Sequence, residues 1–214
     1  MSLSGETWYD KKMIKALLFD YGGVIADDSE GKNLYKKLAV NLAISPKVAW
    51  EMLHPLWREF SRGRITEAEV WSKLEQQYGK SIPVTKRAIW NSWDKMPCFQ
   101  DMLGFVAELQ NDGYITGIIS TTITDTAEDI RAHGGYDLFS PIILSCDVGF
   151  AKPDPEIYDI AMERLSGILP EQVIFLDDRE MCLAPARALG IQTVLVENPA
   201  QAIHDTKELL QRTA

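Results

Sequence analysis

Three apolar runs in this chain of 214 residues each stop at a polar residue of catalytic type: Lys15–Asp20, Tyr114–Ser120 and Val173–Asp178. As neighbouring parallel strands, their carboxyl ends bring Asp20, Asp177, Asp178 and Ser120 to one edge of a sheet, where open α/β folds build their sites. A fourth segment, Gly149–Pro155, sets Lys152 just before a helix start. A carboxylate can attack phosphorus, and carboxylates together can hold Mg²⁺, a hard cation that takes oxygen ligands and keeps several waters. A hydroxyl and an ammonium can hold phosphoryl oxygens and offset their charge. The set suits phosphate chemistry.

Each residue also has a plainer reading. Asp20 could cap the next turn, Asp177 and Asp178 could cap a helix opening at Glu180, and Ser120, Thr121 and Thr122 belong to types that commonly form turns. Lys152 alone would be a solvated cation. Against these stands the cost of burying an unpaired acid at the end of a strand as apolar as Ala16–Phe19. The acidic pair repeats that placement after Val173–Leu176.

The elements that must position these groups follow from the pattern. Gly22 and Gly23 break the first run, and Val24–Ala26 precede Asp27 and Asp28, which predicts a tight turn followed by a short hairpin or a single helical turn. From about Ser29 to Pro97 only helix signals occur. Leu34, Lys37, Leu38 and Leu42 mark one helix, and Ser45 as N-cap with Pro46 at the first position opens another that runs to about Phe60. Thr66–Glu69 is a capping box for a helix ending near Gly79. A further helix is expected from near Thr85, carrying Trp90 and Trp93.

From Gln100 onward, helices over residues 101–110, 125–132, 154–165 and 180–189 alternate with strands over 114–120, 142–144, 173–177 and 193–196. That alternation predicts an α/β fold, a parallel sheet flanked by helices. Residues 13–27 and 98–214 should form this core, residues 28–97 an inserted all-helical domain, and residues 1–12 a leader or arm.

Composition narrows the partners. The net charge of −9, from 31 acidic and 22 basic residues, repels nucleic acid and anionic membrane, so a small molecule is the expected partner. Cys98, Cys146 and Cys182 form no CxxC pair, which disfavours a disulfide framework and a zinc site. No apolar stretch approaches the ~20 residues that span a bilayer, and the polar start lacks the features of a secretory signal. The chain is expected to be cytoplasmic.

Together the motifs resemble the haloacid dehalogenase-like hydrolase superfamily. Its first motif is similar to Leu18–Val24 around Asp20, its second to Ile118–Thr121, its third to Lys152–Tyr158 and its fourth to Val173–Asp178. The likeness covers the chain after residue 12 and includes a helical cap between the first and second motifs. It looks most like the phosphatases related to α-glucose-1-phosphate phosphatase and to the phosphatase domain of soluble epoxide hydrolase. The resemblance implies a Rossmann-like core in which Asp20 attacks phosphorus and gives an aspartyl-phosphate. It implies Mg²⁺ held by Asp20, the carbonyl of Gly22 and Asp178, with Asp177 in support through coordinated water or Lys152. Ser120, Thr121 and Lys152 would bind the phosphate, with Ser120 and Lys152 also serving catalysis, and a small phosphorylated metabolite, with sugar phosphates leading, would be the substrate.

The sequence departs from that pattern at Gly22, where most family phosphatases carry a second aspartate as general acid and base. Esters with poor leaving groups should then react slowly, and a phosphomutase is disfavoured. Asp27 or Asp28 could bend back as a substitute, but a solvated loop pair is the preferred reading. Thr121 and Cys182 replace asparagines often found after the second and fourth motifs. In the cap, Trp50 and Trp57 lie seven apart and read as cap core, while Arg58, Arg62 and Arg64 could reach the leaving group or remain solvated. Exposed cap tryptophans would offer a homodimer surface. Two other functions compete: a metal-independent 2-haloacid dehalogenase, against which the retained Asp177 and Asp178 argue, and a catalytically decayed binding or regulatory protein.

Overall fold

Alternate residues of the first strand enter two different apolar layers. In the computed structural model, which describes residues 13–29, 31–90 and 95–213, β1 (Ala16–Phe19) is buried along its whole length. Leu17 and Phe19 pack into one layer, Ala16 and Leu18 into the other. Side chains on a strand alternate faces, so a strand apolar at every position needs cover on both sides.

That cover comes from helices interleaved with the strands. After β1 come α1 (Leu34–Leu42), α2 (Pro46–Phe60), α3 (Glu67–Tyr78) and α4 (Gln100–Asn111), then β2 (Ile115–Ser120), α5 (Thr124–Ala132) and β3 (Ile142–Leu144). A short α6 (Ser145–Val148) leads to α7 (Pro155–Arg164), β4 (Val173–Asp177), α8 (Glu180–Ala188), β5 (Gln192–Leu195) and α9 (Pro199–Thr213). The five strands are parallel in the order β3-β2-β1-β4-β5. Residues of α4, α5 and α9 pack on one face with Leu17 and Phe19, and residues of α7 and α8 on the other with Ala16 and Leu18. Truncating a wholly buried leucine such as Leu17 to alanine should cost about 2–5 kcal/mol. Among the described residues no helix is long and apolar enough to cross a membrane.

The register sets up the site. Phe19 pairs with Ile118 on one side and Leu176 on the other. Asp20, one residue on, therefore comes level with Asp177 and one residue short of Ser120.

The helices between β1 and α4 bury a separate cluster that includes Leu38, Leu53, Val70, Trp71 and Leu74. The chain leaves and re-enters the sheet side by side, with Ala26 bridged to Cys98 and the Asp27 N–H bonded to the Pro97 carbonyl at 3.0 Å. Between β1 and this exit lies a single helical turn, with the Tyr21 carbonyl accepting from Ile25 and Ala26 at 2.9 Å each. Both predicted caps are present: Ser45 Oγ accepts the Val48 N–H at 3.3 Å, and Thr66 and Glu69 form the reciprocal box.

Two expectations change. The helix expected near Thr85 is only one 3-10 turn over Val84–Lys86. The Ile82 carbonyl accepts from the Arg87 side chain at 2.9 Å and the Lys86 carbonyl from Asn41 Nδ2 at 2.8 Å, so side chains occupy acceptors a helix would use. Trp93, assigned to that helix, lies outside the described residues, as do residues 1–12. Helix α9 was not anticipated. It is opened by Asn198, whose carbonyl accepts the Ala202 N–H at 3.0 Å, and it packs Ala202, Ile203, Leu209 and Leu210 onto the sheet layer shared with α4.

Candidate active site

Asp20 follows β1 at the carboxyl edge of the sheet, with its own N–H bonded to the Leu176 carbonyl at 2.8 Å. Its Oδ1 accepts from the Tyr21 N–H at 2.7 Å and from Lys152 Nζ at 2.8 Å. Lys152 Nζ also lies 2.5 Å from Asp177 Oδ2, so one ammonium bridges the acids that follow β1 and end β4. The Lys152 side chain is wholly buried, a position that only such pairing makes tolerable.

The lysine is delivered by a braced loop. Its N–H donates to Thr121 Oγ1 at 3.2 Å, and Asp154 Oδ2 accepts the Ala151 N–H at 3.2 Å. Asp154 is in turn gripped by Arg62 of the helical segment, through Nε at 3.0 Å and the terminal nitrogen at 2.5 Å. Arg64 donates to the Gly149 carbonyl at 3.0 Å. Arg62 and Arg64 thus tie the helical segment to the lysine loop, and neither lines the cavity described below.

The remaining acid, Asp178, sits over Gly23. A Cβ at Gly23 would lie 2.7 Å from Asp178 Oδ2, and the residue's φ of +85° is one that side chains rarely adopt. Ligand oxygens of Asp20, Asp177 and Asp178 lie within 4.8 Å of one another. Three hard oxygen donors, approached this closely by backbone lacking a side chain, fit a small divalent cation such as Mg²⁺. Arg179, which the sequence reading passed over although it directly follows the acidic pair, lies 3.7 Å from Asp20 and Asp177 and 3.8 Å from Asp178. Its backbone N–H also donates to Asp177 Oδ1 at 2.8 Å.

The electrostatics divide the acids. Burial works against charge on Asp20, but Lys152 and Arg179, with the bonds from Lys152 and Tyr21, hold its carboxyl below the ordinary range. Burial and the Asp20 charge push Asp177 up to about 6, against the pull of Lys152 and Arg179. Asp20 is therefore the acid held in its anionic form, and Asp177 the member that takes up the repulsion between like charges.

A cavity of about 300 Å³ opens above, lined at its floor by Asp20, Gly22, Ser120, Thr121, Asp178 and Arg179. Lys152 and Asp177, both wholly buried, do not line it. Asp28 also lines it, and a Cβ at Gly22 would meet Asp28 Oδ2 at 3.2 Å. The expectation of a solvated loop pair is thus corrected for Asp28. Asp27 fits that expectation better, being partly exposed and accepting the Ser29 N–H at 2.8 Å. The tryptophan expectation is corrected too: Trp50 is 49% exposed and stacks on His54, while Trp57 packs at the edge of the helical cluster and faces the cavity.

Comparison with known proteins gives a consistent picture. The family model described as haloacid dehalogenase-like hydrolase matches residues 14–190. A D-ribitol-5-phosphate phosphatase of Bacteroides thetaiotaomicron is 26% identical over 209 residues, 88% of this chain and 94% of its own length. Mouse acyl-CoA dehydrogenase family member 10 is 26% identical across 92% of this chain, and rat bifunctional epoxide hydrolase 2 is 35% identical across 50% of it. The chain spans only 19% and 20% of the lengths of those two proteins. Among solved structures, the magnesium complex of a HAD family enzyme from Bacteroides thetaiotaomicron superposes with a TM-score of 0.71 at 26% identity, over 94% of this chain and 100% of that one. The same enzyme with magnesium and inorganic phosphate gives 0.66 at 26% identity, over 85% and 93%.

Proposed function

The chain belongs to the haloacid dehalogenase-like hydrolase family, and on that premise we propose that it is a Mg²⁺-dependent phosphatase of a small phosphate monoester, working through an aspartyl-phosphate on Asp20. The observation that carries this reading is the meeting of Asp20, Asp177 and Asp178 within 4.8 Å beside a cavity that can admit such an ester. The magnesium and phosphate complexes of the Bacteroides enzyme support it. Residues 28–97 act as the cap in this reading.

Asp20, the carbonyl of Gly22 and Asp178 would hold the cation, with Asp177 steadied by Lys152 in a supporting position. When bound, Mg²⁺ neutralises phosphoryl charge and orients the ester for in-line attack. The protein's own groups do the rest. Ser120 and the backbone after it bind phosphoryl oxygens. Lys152 and the Tyr21 N–H fix the rotation of the Asp20 carboxylate, which attacks phosphorus as the alcohol oxygen departs. Lys152 and Arg179 offset the negative charge that gathers there.

Asp28 fills the place of the missing acid at residue 22. It protonates the departing alcohol, and its carboxylate then takes a proton from the water that attacks the phosphorus of the aspartyl-phosphate. Inorganic phosphate leaves and Asp20 is restored. A positioned acid of this kind is worth typically ~10²–10⁴-fold.

A phosphate-release screen with Mg²⁺, run beside Asp20→Asn, tests the function. Release by the unaltered protein and background release by the variant are expected. Release that survives the substitution, or halide release from 2-haloacids without Mg²⁺ in place of phosphate release, would contradict it.

A further inference from the structure

We propose that the alcohol part of the substrate is a compact apolar group, aromatic by preference, rather than the sugar or polyol that the family resemblance placed first. The inference rests on the phosphatase reading above and names its substrate class.

The walls of the cavity carry it. Away from Asp20 and Ser120 the space is bounded mainly by Tyr35, Trp57, Ile89 and Trp90 of the helical segment and by Ile123 and Tyr136 of the sheet side, with Thr122 and Thr126 as its uncharged polar members. At about 300 Å³ it stands at the lower end of the ~300–1,000 Å³ typical of small-molecule sites. Two of its aromatic polar atoms are directed to other partners. The Tyr35 hydroxyl is bonded to His54 Nδ1 at 3.1 Å, and Trp90 Nε1 donates to Glu67 at 2.8 Å. Trp57 and Trp90 are stacked on each other, with ring centroids 5.9 Å apart and planes inclined by 27°.

Each polyol hydroxyl that meets the rings rather than Thr122 or Thr126 would surrender water without a partner, losing roughly tenfold in affinity. An aryl group makes no such demand, and it adds the favourable contacts that aromatic rings make with one another.

The test compares primary alkyl esters, so that leaving-group reactivity is alike throughout. Binding of 2-phenylethyl phosphate, glycerol 3-phosphate and ribitol 5-phosphate to Asp20→Asn protein with Mg²⁺ would be measured by calorimetry, and kcat/KM for the same esters on the unaltered enzyme. The phenylethyl ester should bind on the order of tenfold to a hundredfold more tightly than either polyol ester, as burial of one aromatic side chain predicts. The ratio should fall toward one in Tyr35→Ala and in Trp57→Leu, two variants so that misfolding of one leaves the other to decide. A ratio near or below one overturns the inference, as does a high ratio unchanged in both variants, and either result leaves the phosphatase reading intact. Failure of the unaltered enzyme to release phosphate from any ester, acetyl phosphate included, overturns that reading and the inference with it.

Discussion

Asp28 and Gly22 are partners: the carboxylate of one lies 3.2 Å from the point where a side chain on the other would begin. In the proposed mechanism Asp28 serves as the acid that residue 22 lacks, from six residues further along the chain on the segment that leads into the helices.

Replacing Asp28 by Asn should therefore slow hydrolysis of alkyl phosphates on the order of 10²-fold and of aryl or acyl phosphates by far less, because good leaving groups need no proton. A plot of log(kcat/KM) against leaving-group pKa should steepen in the variant. An equal loss across all esters would show that Asp28 only shapes the cavity.

The Lys152 bridge makes a stability prediction. Lys152→Met would leave Asp20 and Asp177 buried without their shared cation, at a cost of about 3–5 kcal/mol. Urea unfolding should show this loss, and adding Asp177→Asn should recover part of it by removing one stranded charge. Phosphate release should be abolished in both. A single variant as stable as the parent would mean that water, not the ammonium, solvates these acids.

Gly23 and Gly113 share a left-handed backbone, with φ of +85° and +90°, but only Gly23 faces a carboxylate; nothing lies within 4 Å of a Cβ at Gly113. Alanine at either position should cost about 1–2 kcal/mol of strain. Only Gly23→Ala should also weaken Mg²⁺ binding in calorimetry, because its methyl would displace Asp178. Equal Mg²⁺ affinity in the two variants would remove Asp178 from the cation site.

The helical segment should loosen in acid. Glu75 is held below its ordinary value of 4.5 chiefly by the Ile82 N–H, with help from Ser81 and Arg87, against the opposing effect of burial. A carboxylate with a lowered folded pKa stabilises the fold above its unfolded pKa, and that contribution disappears as pH falls through the folded value. Tryptophan fluorescence, dominated by the helical segment, should report destabilisation below pH 4.5, reduced in Glu75→Gln. An identical acid profile in that variant would exclude Glu75 as a source.

What could be read before the fold was known depended on how local the governing forces are. The caps at Ser45 and Thr66 are written within four residues and appear where expected. The buried strands are runs no solvated element would tolerate, so their ends, and with them Asp20, Ser120 and Asp177, were legible. The stretch after Val84 was not, since distant side chains such as Asn41 claim its carbonyls. Nor was Asp28, whose proximity to Gly22 depends on how one turn closes over the edge of the sheet. Helix α9 is a different case. Asn198 and Pro199 with apolar Ala202, Ile203, Leu209 and Leu210 are a sufficient local signal, and it was overlooked.

The most direct measurement is rapid acid quench of the enzyme turning over acetyl phosphate with Mg²⁺, followed by peptide mass spectrometry. A phosphoryl group is expected on the peptide containing Asp20, formed before steady-state release begins and lost when Mg²⁺ is chelated. Steady phosphate release with no such adduct at any time, or an adduct on another residue, would contradict nucleophilic attack by Asp20.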